Sequence, residues 1–148
     1  MRIVIQKIKS GAVRVQGQVT GQIEQGFLLY IGISPDDDEA DLAYCVRKVS
    51  QMRLFEDQEG KMNLSLMDVG GAILSVSQFT LYADTKKGNR PSFASAAKPD
   101  YAQALYDRFN HLLRDLGIRV ETGVFGAMME VDAINDGPVT IWLDSKAR

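Results

Sequence analysis

The stretch Ala72-Ile73-Leu74-Ser75-Val76-Ser77-Gln78-Phe79-Thr80-Leu81-Tyr82-Ala83-Asp84 decides how this chain is read. Ala72 to Val76 is mostly apolar, the pattern of a buried strand interior. Neutral polar side chains then arrive where that strand has to end: Ser77, Gln78 and Thr80, with Phe79 among them. Extended alternation puts Ser77 and Phe79 on one face and Gln78 and Thr80 on the other. Gln78 and Thr80 are therefore expected side by side, aimed at one ligand. The plainer alternative is a strand end whose polar groups satisfy a neighbouring loop. A second stretch, Asn135-Asp136-Gly137-Pro138-Val139-Thr140, shifts the balance toward a site, and the chain reads as arranged to bring the two together.

Upstream, Arg2 to Ile8 is rich in isoleucine and valine and partly alternates, so it reads as a strand. Ser10-Gly11 is expected to break it, and Ala12 to Val15 to resume it. Two more strands, Val19 to Glu24 and Phe27 to Ile33, complete a β-meander punctuated by Gly17, Gly21 and Gly26. Ser34-Pro35-Asp36-Asp37 has the form of a helix start, with serine as N-cap and proline at the first helical position. Leu42, Cys45, Val46 and Val49 then form one buried helical stripe. A hairpin is expected around Asp57-Gln58-Glu59-Gly60.

Downstream, Lys86-Lys87-Gly88-Asn89-Arg90-Pro91 forms an exposed basic loop, either merely solvated or placed to meet phosphate. A second helix opens at Pro99-Asp100, buries Ala102, Leu105, Phe109, Leu112 and Leu116, and stops at Gly117. Strands follow over Ile118 to Val124 and Ala127 to Ala133. After an Asn-Asp-Gly-Pro turn, a last strand runs from Val139 to Leu143. The pattern predicts one α/β domain over residues 1–148: a mixed, largely antiparallel sheet, curled like a barrel, with two packed helices.

At 148 residues, 45% hydrophobic and 24% charged, the composition is that of a soluble globular protein. Net charge is −2, so any nucleic-acid contact has to come from a local basic patch. A single cysteine allows no internal disulfide and points to the cytoplasm. Met1 to Ile8 lacks the features of a signal peptide, and no window is apolar enough to cross a membrane. The chemical inventory is narrow. The only histidine, His111, lies off the helix stripe, and Cys45 lies in a core stripe, so Ser-His and Cys-His nucleophile pairs are not expected. No ligand set for a structural zinc and no glycine-rich phosphate loop is present, so neither metal nor cofactor is expected. What remains is a site of neutral donors and backbone groups. It can orient a substrate and hold an oxyanion, but it cannot do strong acid–base work.

Ser77-Gln78-Phe79-Thr80-Leu81 at a strand end, paired with Asn135-x-Gly137-Pro138-Val139-Thr140, closely resembles the D-aminoacyl-tRNA deacylase family. The likeness extends over essentially the whole chain. It includes the Met1 to Ile8 start, the Gly88-Asn89-Arg90-Pro91-Ser92-Phe93 loop and Gly123-x-Phe125-Gly126-Ala127. The resemblance implies hydrolysis of the ester between a D-amino acid and the 3′-terminal adenosine of tRNA. The vicinal 2′-hydroxyl of the substrate would help with the water, so no protein histidine is required. It further implies that Ser77, Gln78, Phe79 and Thr80 line the pocket, with backbone amides near Phe79 and Thr80 as oxyanion donors. Thr80 as nucleophile ranks lower, because nothing nearby in sequence would deprotonate it. Gly137-Pro138 would be a cis chiral filter entering the partner subunit's site in a homodimer. Excluding an L side chain by clash, the filter would admit glycine, making glycyl-tRNA mischarged on tRNA(Ala) a second substrate. Lys86, Lys87 and Arg90 are candidates for tRNA phosphates. Lys7 stands where many relatives carry arginine, which weakens or alters whatever support that residue gives Gly137-Pro138. Two other readings remain. One is a tRNA editing hydrolase for an L-amino acid, and the other is a non-catalytic RNA-binding module.

Overall fold

The computed structural model describes all residues from Met1 to Arg148. Its central element is β1, Arg2–Val15, which has both edges paired. Along one edge run β2 (Gln18–Ile23) and β3 (Gly26–Gly32), and along the other runs β8 (Glu130–Asp144). Ser10-Gly11 does not break β1, contrary to the sequence expectation, because Gly11 keeps its place in the ladder opposite both Ile23 and Ala133. Gln16 and Gly17, both at positive φ, make the tight turn between β1 and β2.

On the far edge of β3 lies β6, Ala72–Ser77, and beyond it β7, Val120–Thr122; both pairings are parallel. The sheet curls until β7 meets β2, where Arg119 Nη2 donates to the Gln22 carbonyl at 3.1 Å. Gly21 makes that approach possible, since a Cβ there would sit 2.5 Å from the Thr122 carbonyl oxygen. The result is a mixed, nearly closed, barrel-like sheet. A small hairpin of β4 (Arg53–Glu56) and β5 (Met62–Ser65) stands apart from it. Alternation divides the core. Leu28, Leu74 and Val76 pack with Ile8, Val13 and Ile23, while Phe27, Leu29, Ile31 and Ile73 join a larger cluster with the helices.

Helix α1 spans Glu39–Gln51, and its start corrects the sequence reading. Ser34-Pro35 forms a turn ahead of the helix. Asp38 is the N-cap, accepting from Ala40 and Asp41 while Asp41 answers the Asp38 N–H in a capping box. An acid three residues after an acid outcompeted the serine-proline signal. Helix α2, Pro99–Asp115, begins where expected, but its buried face is rotated. Tyr106, Asn110 and Leu113 join Ala102 and Phe109 inside, while Leu116 is exposed. The Tyr106 hydroxyl can be buried because it donates to the Ser75 carbonyl at 2.8 Å. The expected strand from Ile118 to Val124 shortens to β7. The expected turn at Asn135 to Pro138 is also corrected, because β8 continues through it and the ladder absorbs the irregularity as register shifts opposite Gln6 to Ser10.

Candidate active site

Three parallel strands, β3, β6 and β7, end at one rim, at Gly32, Ser77 and Thr122. Crevices beyond the carboxyl ends of parallel strands are the usual ligand sites of α/β sheets. Here the polar run emerges. The Gln78 N–H is still tied to β3 through the Ile31 carbonyl at 2.7 Å. The backbone then tightens into a single 3-10 turn, Phe79–Tyr82, where continued extension had been expected. The expected face assignment therefore fails, yet its consequence survives by another route. The Gln78 Nε2 donates to Thr80 Oγ1 at 2.5 Å, so the two side chains do lie together.

The turn presents the N–H groups of Phe79 and Thr80 at its leading end, where a helix has no internal acceptors for them. Ser77, Gln78 and Thr80 are half-buried, while Phe79 is exposed and meets the exposed Phe93 edge-on at 5.1 Å between ring centres. Phe93 directly follows a loop pinched shut by Asp84 and Ser92, whose backbones exchange hydrogen bonds of 2.7 and 2.9 Å. Within that loop Lys86, Lys87 and Arg90 are exposed, and none of the three enters an ion pair. Beside the rim, the Gly123 N–H donates to the Ser75 carbonyl at 3.3 Å and leads to Phe125, 6.0 Å from Tyr106.

Gly137 and Pro138 are exposed on β8 and joined by a cis peptide bond. Asn135 braces them: its Nδ2 donates to the Lys7 carbonyl at 3.0 Å and to the Val139 carbonyl at 3.2 Å. The buried Lys7 places its Nζ 3.7 Å from Asp136 Oδ2 and 5.3 Å from the Phe55 ring centre. The chain does not bring this segment to its own Ser77–Thr80. Ser77 pairs with Ile31, which pairs with Ile3, whereas Gly137-Pro138 lies beside Lys7 on the opposite edge of β1. The two stretches are thus three strands apart and offset along them.

The other candidate groups lie elsewhere. Cys45 is sealed in the core, and burial pushes its thiol up to about 12, so it carries no thiolate near neutrality. His111 is exposed on α2, 3.5 Å from Asp115. Two side chains that the sequence reading passed over adjoin the turn, Phe93 and Arg2. An aromatic in an otherwise polar loop was the available signal for Phe93; Arg2, at the head of an apolar strand, gave none.

The comparisons with known proteins agree with this fold. A solved structure described as c-Myc DNA Unwinding Element Binding Protein is 40% identical, covering 97% of this chain and 98% of its own, with a TM-score of 0.91. Another, described as a structural analysis of a probable eukaryotic D-amino acid tRNA deacylase, has a TM-score of 0.83 at 23% identity, covers 96% of this chain and 97% of its own, and shares the fold. The model of D-Tyr-tRNA(Tyr) deacylase matches residues 4–144. The chain belongs to the D-Tyr-tRNA(Tyr) deacylase family, hydrolases of the ester bond of aminoacyl-tRNA.

Proposed function

We propose that this protein cleaves the ester joining a D-amino acid to the terminal adenosine of tRNA, by a site that positions rather than deprotonates. One observation carries the proposal: the Thr80 hydroxyl is held by the Gln78 carboxamide, directly ahead of the free N–H groups of a tight turn. Neither end of a carboxamide is a base near neutral pH, so Thr80 is poorly equipped as a nucleophile. The N–H groups of Phe79 and Thr80 suit the oxyanion that forms as the carbonyl is attacked. Ser77, Gln78 and Phe79 complete the wall of the pocket. The substrate itself helps with the water: its 2′-hydroxyl adjoins the ester and orients the attacking water, whose proton leaves with the departing 3′-oxygen.

Discrimination falls to Gly137-Pro138. Their exposure, and their separation from the Ser77–Thr80 turn of the same chain, fit delivery into the site of a second copy in a homodimer. There, backbone carbonyls hold the amino group while their bulk excludes an L side chain, and glycyl-tRNA mischarged on tRNA(Ala) is admitted. Lys86, Lys87 and Arg90 approach the phosphates of the acceptor end, and the protein works in the cytoplasm.

The test is hydrolysis of D-tyrosyl-tRNA beside L-tyrosyl-tRNA by wild type and by Thr80→Ala. The expected outcome is cleavage of the D ester alone, with Thr80→Ala slowed about tenfold or less. A folded but inactive Thr80→Ala places the hydroxyl at the centre of the chemistry. Cleavage of both esters favours an editing hydrolase for L-amino acids. Retained RNA binding with neither ester cleaved favours a nucleic-acid-binding module, a class to which the name of the 40%-identical structure also points.

A further inference from the structure

Nothing in the motif Ser77-Gln78-Phe79-Thr80 explains why the backbone turns at Phe79 instead of continuing as a strand. The cause lies on β1 and β3. Arg2 and Gly32 are cross-strand partners, so their side-chain positions share one face of the sheet. Gly32 leaves that face empty, and the turn settles into the gap. A Cβ on Gly32 would come within 3.1 Å of the Gln78 carbonyl oxygen and of Leu81 Cβ, and within 3.2 Å of Tyr82 Cδ2. Arg2 reaches across the same gap, and its Nη1 donates to the Leu81 carbonyl at 2.9 Å. Its guanidinium lies 4.4 Å from the centre of the Tyr82 ring and 5.6 Å from that of Trp142, and its Nε is 3.3 Å from Asp144 Oδ2.

We infer that Arg2 is a positioning residue for the turn that presents the Phe79 and Thr80 N–H groups, an inference that rests on the deacylase reading above. The bonds at the two ends of the turn are local, Leu81 N–H to the Gln78 carbonyl at 3.3 Å and Ala83 N–H to the Thr80 carbonyl at 3.1 Å. Both are bonds inside the turn and fix its shape. The Gln78 N–H anchors its start to β3, and Arg2 anchors its end to β1. Without that second anchor the end of the turn is held by the packing of Tyr82 alone, and the N–H groups can shift about Gln78, away from the place where the oxyanion forms. Arginine suits the task because its planar fork serves Leu81 and Asp144 at once while its face lies against Tyr82. Trp142 and Asp144 belong to β8, the strand that carries Gly137-Pro138, so the same side chain joins the turn to that strand.

The test is steady-state hydrolysis of D-tyrosyl-tRNA by wild type, Arg2→Met and Arg2→Lys, with thermal unfolding of each. A misplacement of about 1 Å costs on the order of a hundredfold in rate, so Arg2→Met is expected to lose about 10- to 100-fold in kcat with KM within about twofold. Arg2→Lys keeps the charge and one donor but not the fork, and is expected to recover most of the rate and remain about fivefold slow. Wild-type kcat in a folded Arg2→Met, or losses in both variants that simply follow the fall in Tm, overturn the inference. Should Arg2→Met fail to fold, Arg2→Lys decides: an intermediate kcat at unchanged KM supports the role, and a wild-type kcat removes it. A wild type that leaves the D ester intact refutes the deacylase reading itself, before any variant is compared.

Discussion

At Gly137 the backbone has φ 123, a conformation that L side chains rarely adopt, and a Cβ there would come 2.7 Å from Val139 Cγ2. Gly137→Ala is therefore expected to displace this exposed segment while leaving the fold intact. The ratio of D- to L-tyrosyl-tRNA hydrolysis should fall at least about tenfold, the size of effect that loss of about 1.4 kcal/mol of discrimination produces. An unchanged ratio in a variant with altered β8 chemical shifts removes Gly137 from the filter. The residue scale is also where the sequence was most legible. An apolar strand ending in serine, glutamine and threonine singled out the candidate site, because polar side chains at the end of a buried strand have to meet either a neighbouring loop or a ligand. Their faces were not legible. No glycine or proline announces the turn at Phe79; it is imposed by the gap over Gly32 and the reach of Arg2, both distant in sequence.

Among the elements, α1 gives the sharpest contrast between pattern and packing. Ser34-Pro35 has the composition of a helix start, but Asp38 makes the cap. Asp38→Ala is expected to cost about 1 kcal/mol of stability and Pro35→Ala under about 0.5 kcal/mol, by denaturant unfolding. The reverse order would restore the serine-led start. On α2 the inward face shifted by one position because Tyr106 found an acceptor at Ser75, which a hydrophobic stripe drawn from leucines alone could not reveal. For β8, the Asn-Asp-Gly-Pro sequence has every local mark of a turn. Pairing with the full length of β1 overrides it, holding the segment extended on both sides of the irregularity.

For the molecule as a whole, charge is concentrated at one corner of the barrel. The amino group of Met1 is buried against Asp37 and donates to Ser145 Oγ at 2.7 Å, while Lys146 reaches Asp41 at 2.7 Å. Burial alone would raise the Asp41 pKa, but hydrogen bonds from Lys146 and Ser145, with the Lys146 charge, outweigh it and hold the carboxyl well below the usual range. The unfolded chain therefore takes up this proton first as pH falls. The stabilisation is complete above about pH 4 and is lost as pH drops toward the folded value. Calorimetry should show Tm declining below about pH 4 in wild type, and Asp41→Asn should be less stable at neutral pH by about 1–3 kcal/mol with a flatter acid limb. Across the surface, a net charge of −2 means that any attraction of tRNA has to come from a local basic patch, for which the Lys86-to-Arg90 loop is the candidate. Neutralising Lys86, Lys87 and Arg90 together is expected to flatten the slope of log affinity against log salt by about 2; an unaltered slope takes the loop out of phosphate contact. The barrel-like fold was legible because glycine-punctuated β runs and two amphipathic helices leave few other arrangements, whereas its parallel half rested on contacts between β3, β6 and β7 that no local pattern encodes. Finally, β1 is flanked by β8, with Arg2 opposite Asp144 and Arg14 opposite Glu130. A chain emerging from the ribosome thus holds β1 with one edge bare until β8 appears. So long-range a pairing is expected to slow folding, and a bare strand edge is a template on which half-made molecules can pair with one another.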